Sequence, residues 1–568
     1  MYNKEKDQEY LRWVNSPNLD EKLRKELDAM SDTEVHDSFY TQIEFGTAGM
    51  RGLLGPGTNR INVHTIAKAN VGFAKYICDN GEEAKKRGVA IAYDNRHMSY
   101  EFAMVSAKVL ASYGIASYVF ESLRPTPELS FATRHLNCFG GIVVTASHNP
   151  REYNGYKLYD ERGCQLIPSL VEKVINYVNE VTDELSINMD ITKEQESLIT
   201  VIGRDVDEAY YEAVLGIQLQ PEIDKSDVKI VFTPQHGTAN IPVQEVFKRS
   251  GYNCIPVVEQ CSPDPDFSNT KTPNPEESSS YDLAIEYAKR DKADIVLSCD
   301  PDADRMGVVV DQDGEYILLT GNQSGALLLD YVLSQLDAQG KMPAHPVMFN
   351  TVVTGDLGEK VANSYNVECE KTLTGFKFIG EKIAKYEVTN EKQYVFGYEE
   401  SYGSLIKPFV RDKDAIQACL MLAEATAYYK KQGKTLFDVL QDLYTKHGHY
   451  EESQVSLTLA GSEGAQKIKD ILKNLRESKL DQIGDYKVVR FEDYKDAIVR
   501  EGDKESKLEG FVPSDVLKYF LDDGSWIAIR PSGTEPKCKF YYCVKGSSNE
   551  NAHVKGNALK KAMEKYTA

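Results

Sequence analysis

A serine beside a histidine, a triplet of aspartates and an arginine set among hydroxyls stand out from the 568 residues of this chain. Ser147 and His148 lie in Thr145-Ala-Ser-His-Asn-Pro150, directly after Gly140-Gly-Ile-Val-Val144. That run is short, apolar and β-branched, and it reads as a buried strand. A strand ending in a polar loop puts Ser147 and His148 at its carboxyl end, where ligands bind in α/β sheets. Serine is a weak nucleophile unless a neighbour activates it or it arrives already modified. No Gly-x-Ser-x-Gly elbow surrounds it. An ordinary strand-to-loop turn is the competing reading.

Asp300, Asp302 and Asp304 alternate, so an extended backbone places all three on one side. Carboxylates that close repel one another unless a cation holds them. An EF-hand is excluded, because Arg305 stands where its glycine belongs and Asp311 where its glutamate belongs. Three carboxylates leave a divalent ion short of ligands, which suits magnesium completed by a phosphate oxygen. A solvated acidic loop competes, but an uncompensated triplet after an apolar strand is costly. The carrier of such a phosphate needs a hydroxyl, and Ser147 is the natural candidate. A phosphorylated serine beside the metal would pass its phosphoryl group to a substrate hydroxyl and take it back, with catalysis mostly positioning and charge stabilisation. Lys157 lies close downstream as a general acid or base, with His148 a weaker candidate. Arg51, in the glycine-rich Phe45-Gly-Thr-Ala-Gly-Met-Arg-Gly52, is a forked donor for an anion. Arg530-Pro-Ser532-Gly533-Thr534 makes a phosphate cradle at a strand end, with a surface turn as the competing reading. Gly375 and Gly380 have phosphate-loop spacing, but Glu381 replaces the lysine, so an ATP-driven kinase lacks its loop.

The elements that position these loops recur. A strand at 89–94, a glycine turn at Gly114 and a strand through Val119 precede the strand that ends before Ser147. The same order returns with 228–232, Gly251, 255–258 and 293–297, and again with 347–350, Val367 and 394–396. Strands alternating with helical stretches predict α/β layers with parallel or mixed sheets. We read three diverged copies of one unit. Their third strands deliver the serine loop, the aspartate loop and Gly397-Tyr-Glu399-Glu-Ser401-Tyr-Gly403. The expected domains are 1–200, 201–320, 321–445 and a smaller α+β domain over 446–568. Residues 1–44 read as charged helix packing through Leu11, Trp13, Val14, Leu23 and Leu27.

A formal charge of −21 argues against nucleic-acid and anionic-membrane partners, while leaving small anions to local basic groups. The first residues hold no apolar leader, no run reaches a membrane span, and ten cysteines lack metal spacing. A cytoplasmic protein is the expectation.

In chain order, FGTAGMRG, TASHNP, DPDADR, TGFKF, GYEESYG and RPSGTEPK closely resemble the α-D-phosphohexomutase superfamily, in its long-form phosphoglucomutase and phosphopentomutase branch. The resemblance covers nearly the whole chain. It implies three related α/β domains and a smaller α+β lid around a central cleft. It makes Ser147 the phosphoserine and gives the metal Asp300, Asp302 and Asp304 together with the Ser147 phosphate. Arg51, Lys157 and Arg305 match residues near the transferring phosphate, and Thr374 and Gly375 a loop shaping the sugar pocket. Glu399 and Ser401 match positions that hold sugar hydroxyls, and Lys413 a cleft lysine of glucose-type members. Arg530, Ser532, Gly533 and Thr534 match the grip on the non-transferring phosphate. The implied reaction exchanges phosphate between the two ends of a sugar phosphate through a bisphosphate, glucose 1,6-bisphosphate for a glucose substrate.

Glu399-Glu-Ser-Tyr402 lacks the variants typical of glucosamine and mannose members, which favours glucose or a pentose. A magnesium-dependent sugar phosphatase is the alternative of another class, and the Arg530 loop weighs against it, since a far-end grip serves two-ended substrates. A sugar-phosphate sensor without activity is disfavoured by the intact Ser147, aspartates and Glu399. The partners expected are small-molecule sugar phosphates, and the oligomeric state stays open.

Overall fold

The charged N-terminal stretch does not run as one helix. It is broken into α1 (Gln8–Asn15), α2 (Glu21–Ala29) and α3 (Asp32–Phe39). Each piece starts on its own cap: Asp7, Asp20 and Ser31 accept hydrogen bonds from first-turn amides, and Ser31 forms a capping box with Glu34. Tyr10, Trp13, Leu23, Leu27, Val35 and Phe39 close a small core of their own. Leu11 does not join it. It is 36% exposed, because Tyr10 and Trp13 already define the buried stripe of α1. The indole of Trp13 donates to Glu184 Oε1 at 2.8 Å, and Arg12 bridges Asp183 and Glu184, both at 2.7 Å.

The computed structural model describes residues 3–46, 49–459, 461–532 and 537–566. They divide into two units. Unit 1 comprises residues 1–319, 376–397 and 401–435, and unit 2 comprises 320–375, 398–400 and 436–568.

In unit 1 the first sheet has the order β1-β5-β4-β2-β3-β6, from β1 (Met50–Leu53), β2 (Val89–Tyr93), β3 (Ser117–Phe120), β4 (Gly140–Val144), β5 (Tyr153–Asp160) and β6 (Ile199–Ile202). β4, β2, β3 and β6 are parallel, while β5 and β1 run antiparallel. β2 and β4 are buried along their whole length, which is why both read as continuous apolar runs. The second sheet has the order β11-β10-β9-β7-β8, from β7 (Lys229–Thr233), β8 (Asn253–Pro256), β9 (Ile295–Cys299), β10 (Met306–Gln312) and β11 (Glu315–Leu318). It is again parallel at β9-β7-β8 and antiparallel beyond. In both sheets the first strand of the repeat is flanked on one side by the second and on the other by the third. That reversal is a topological switch point, and it opens a crevice at the carboxyl ends of β2 and β4, and of β7 and β9.

Unit 2 pairs β12 (Pro346–Thr351) in parallel with β13 (Glu368–Thr372). The chain leaves it for Phe376–Gly397, which carries most of β14 (Gln393–Glu399), and returns for three residues before β15 (Gly403–Leu405). The C-terminal part of unit 2 is an antiparallel sheet of order β16-β23-β22-β21-β18-β19-β20. Its strands are β16 (His449–Thr458), β17 (Gln482–Ile483, on β18), β18 (Tyr486–Asp493), β19 (Ile498–Glu501), β20 (Lys504–Lys507), β21 (Leu517–Leu521), β22 (Trp526–Pro531) and β23 (Lys537–Gly546). Leu472 and Leu475 from one helix and Leu559 from another cover Ile527, Ile529 and Phe540 of that sheet, which makes this part α+β. Among the described residues no helix is long and apolar enough to cross a membrane.

Candidate active site

Unit 1 gathers most of the chemistry. Ser147 leaves the end of β4 with φ +51°, a left-handed conformation that costs a non-glycine residue roughly 1–2 kcal/mol. The turn is held by the Ser147 amide, which donates to Thr145 Oγ1 at 2.8 Å. It aims Oγ at Asp300 Oδ2, 2.6 Å away, with His148 Nδ1 at 3.2 Å. Neighbouring strands supply the cations. β5 runs antiparallel to β4 and sets Lys157 opposite Val143, while β1 pairs with β5 and sets Arg51 opposite Gly155. Only glycine fits at 155, since a Cβ there would lie 2.5 Å from the Thr145 carbonyl oxygen and 2.7 Å from that of Met50. Arg51 reaches Asn149 Oδ1 at 3.2 Å.

The aspartates converge, but not by the extended alternation expected. The loop after β9 coils, with the Ala303 amide donating to the Asp300 carbonyl and Ala303 itself at φ +56°. One carboxylate oxygen from each aspartate lies within 4.8 Å of the others. Two lysines stand against them: Lys157 Nζ is 3.1 Å from Asp302 and 3.7 Å from Asp304, and Lys413 Nζ is 3.0 Å from Asp304. The amides of Asp304 and Arg305 donate to Asp300 Oδ1, and the Arg305 guanidinium bridges to Glu276 at 2.7 Å. Burial drives the Asp300 carboxyl well above its usual range, and Asp302 and Asp304 push it the same way. Burial also opposes ionisation of Asp302, but Lys157 and the hydroxyl of Thr126 outweigh it and hold this carboxyl low.

A divalent cation fits here. Asp302 Oδ1 and Asp304 Oδ1 are buried and accept no hydrogen bond, two anionic oxygens left over in a site already rich in donors. A cation would also relieve the repulsion from Asp302 and Asp304 that adds to burial in raising the Asp300 carboxyl. The fit is to hard oxygen ligands, as magnesium requires.

Lys413 is delivered by main-chain bonds just after it, from Asp414 N to Ser404 O and from Ala415 N to Ala303 O. Ser401 precedes Tyr402, whose carbonyl accepts from Met306 N just beyond the aspartate loop, and Tyr402 has φ +69°. Ser147, Ala303 and Tyr402 are thus left-handed turns at the corresponding place in three repeats.

The remaining candidates lie in unit 2. Glu399 Oε1 accepts from the amide of Gly375 at 2.7 Å, which joins two motifs the sequence separates by 24 residues. The hydroxyl oxygen of Thr374, beside it, is buried and makes no hydrogen bond. Glu400 is tied to the hydroxyls of Thr351 and Thr354 at 3.0 and 3.1 Å. Arg530 stands half-buried near the end of β22, and among the described residues it has no ion pair. The amide of Ser532 donates to Lys537 O at 2.7 Å. Gly533 and Thr534 lie outside the described residues, as do positions 47 and 48 of the glycine-rich loop.

Three groups next to the site escaped the sequence reading. Arg96, past the end of β2, holds the serine loop by its main chain. Thr126, opening the helix Thr126–His135, donates from both its amide and its hydroxyl to Asp302, each at 2.9 Å. Tyr159 donates to Asp412 at 2.7 Å, and Asp412 in turn holds Lys413 Nζ at 3.1 Å. A strand-end arginine in Asp94-Asn-Arg96 was a usable signal for the first; nothing local marked the others.

Family models for the phosphoglucomutase/phosphomannomutase α/β/α domains I, II and III match residues 42–184, 208–314 and 320–447, and the model for the C-terminal domain matches 472–560. The phosphoglucomutase of Staphylococcus aureus strain MRSA252 is 39% identical over 550 residues, 96% of this chain and 97% of its own. That of strain MSSA476 is 38% identical over the same shares. Among solved structures, a putative phosphomannomutase from Thermus thermophilus superposes with a TM-score of 0.66 at 20% identity, over 92% of this chain and 99% of its own. The open form of Paramecium parafusin, a phosphoglucomutase, gives 0.65 at 20% identity, over 93% and 95%. The architecture is the four-domain α/β fold of this class. The chain belongs to the phosphoglucomutase/phosphomannomutase family.

Proposed function

We propose that the chain is a phosphoglucomutase, an isomerase that interconverts α-D-glucose 1-phosphate and glucose 6-phosphate through phosphorylated Ser147 and glucose 1,6-bisphosphate. The observation that carries this is the Ser147 hydroxyl, aimed at 2.6 Å at one carboxylate of a buried triplet that holds two further unbonded oxygens. Full-length identity to relatives named phosphoglucomutase supports the substrate.

In this reading Ser147 Oγ carries the phosphoryl group. Its P–O bond breaks as the free hydroxyl of the sugar monophosphate attacks, giving the bisphosphate and a serine hydroxyl. The return step reverses these bonds at the other end of the sugar. Asp300, Asp302 and Asp304 would hold magnesium, which supplies charge stabilisation to the transferring group when bound. Lys157 and Lys413 orient the carboxylates and face the transferring oxygens, and Lys157 is placed to hold the proton in flight. Arg51, Arg305 and His148 border the same group. Glu399 and Ser401 take sugar hydroxyls, Thr374 and Gly375 shape the sugar pocket, and Arg530, Ser532, Gly533 and Thr534 grip the phosphate that stays. The partners are small sugar phosphates. Ten free thiols suit a cytoplasmic setting.

The test is coupled turnover of glucose 1-phosphate and, in parallel, ribose 1-phosphate, with magnesium and catalytic bisphosphate, for wild type and Ser147→Ala. Glucose 6-phosphate formation that disappears in the variant is the expected result. Faster ribose turnover would make the chain a phosphopentomutase with the same residues. Release of free phosphate without isomerisation would replace the mutase by a phosphatase.

A further inference from the structure

We propose that Arg96 is a positioning residue for Ser147: its guanidinium fixes the left-handed turn that points the serine hydroxyl at the aspartate triplet. The inference rests on the phosphoserine reading above. Arg96 follows β2, the strand next to β4 at the switch point, and its side chain crosses under the whole serine loop. It donates to the main-chain oxygens of Ser147 and Asn149, both at 2.5 Å, of Pro150 at 2.8 Å and of Tyr153 at 3.1 Å. Four carbonyls of one loop converge on one group. Arg96 is paired with Asp94 at 3.3 Å, both side chains being fully buried, and the ring of Phe267 covers the guanidinium at 5.2 Å. Asp94 is itself fixed by the hydroxyl of Ser99 at 2.7 Å and the amide of Arg96 at 2.9 Å.

None of these bonds touches Ser147 Oγ, so Arg96 acts through the backbone alone. A left-handed serine relaxes toward ordinary φ unless its surroundings over-determine it, and the four-carbonyl clamp does so. Relaxation would swing Oγ away from Asp300. Lysine cannot replace the clamp: it keeps the charge beside Asp94, but its compact ammonium cannot span four carbonyls as a planar five-donor fork does.

The experiment isolates phosphoenzyme and follows a single turnover with glucose 1-phosphate, rates being normalised to phosphorylated Ser147 by intact-mass spectrometry. Arg96→Lys is expected to slow transfer by about 10- to 100-fold, with KM for glucose 1-phosphate changed by no more than about twofold, since the Arg96 side chain is fully buried behind the loop. A purely structural role would lower the thermal midpoint and the folded fraction and leave the normalised rate at the wild-type value. Phe267→Leu keeps all four carbonyl bonds and removes the covering ring; it is expected to slow transfer a few-fold, and it decides the matter if Arg96→Lys does not fold. A wild-type normalised rate in the folded variants overturns the inference. Ser147→Ala separates the two failures. If it keeps full turnover, the phosphoserine reading is wrong; if it is inactive while Arg96→Lys transfers normally, only the role of Arg96 is lost.

Discussion

The two ends of the proposed reaction are built on opposite electrostatic plans. In unit 1 the carboxylates of the aspartate loop are buried, and each is met by a protein donor or cation. In unit 2 Arg530 stands half-buried with no carboxylate partner among the described residues. Glu452, half-buried on β16, is the reverse of Asp302: desolvation first and then Asp356 push its carboxyl up to about 8. On the proposed reading the transferring end is organised before substrate arrives, whereas the gripping end would be completed by the phosphate it binds. Preorganised charge belongs where charge develops in the transition state, and simple binding does not need it.

The sharpest way to break this comparison is at Ser147. Ser147→Ala removes the hydroxyl that donates to Asp300, and turnover should fall by about a thousandfold or more with glucose 6-phosphate as readout. Next comes the triplet. Chelation, or Asp302→Asn, should cost about a hundredfold in kcat, and added magnesium should raise the thermal midpoint of the wild type but not of the variant. If the variant is stabilised equally, the cation lies elsewhere. Arg530→Ala should behave differently from both. Losing a charge-assisted grip of about 1.5–3 kcal/mol raises KM for the sugar monophosphate by roughly 10- to 100-fold, with a smaller change in the single-turnover rate. A loss of kcat equal to that of the aspartate variant would show that the two ends do not follow separate plans.

The smallest effect concerns Glu452. Between the usual glutamate value near 4.3 and about 8, the folded chain keeps a proton that the unfolded chain has released. This group therefore subtracts stability as pH rises through that window. Glu452→Gln should raise the thermal midpoint above about pH 8 and make no difference below about pH 5. An equal gain at both ends would mean that packing, not ionisation, is responsible.

What the sequence revealed follows the range of the contacts involved. Ser147, the aspartates and the Arg530 loop each sit in a short stretch behind an apolar strand, so strand period and loop composition were enough to single them out as candidates. The convergence of the aspartates was expected for the wrong reason, because nothing in the residue types announces the left-handed Ala303 that coils the loop. Arg96, Thr126 and Tyr159 act across 51, 176 and 253 residues of chain, and single-residue types carry no trace of such partners. The N-terminal helices were legible as helical charge but not as three capped pieces, since each cap competes with continuation of the helix on local terms alone.

The chain holds two tryptophans, and the fold gives one to each unit. Trp13 is sealed beneath the N-terminal helices, bonded to Glu184. Trp526 begins the strand that carries Arg530, with its indole on Asp356 and the Lys518 ammonium 3.8 Å from its ring. Tryptophan fluorescence is therefore already partitioned. Replacing Trp13 by phenylalanine leaves a chain whose tryptophan emission comes from unit 2 alone, and replacing Trp526 does the converse, so with excitation selective for tryptophan the two halves of the molecule can be watched unfolding on separate curves without any added label.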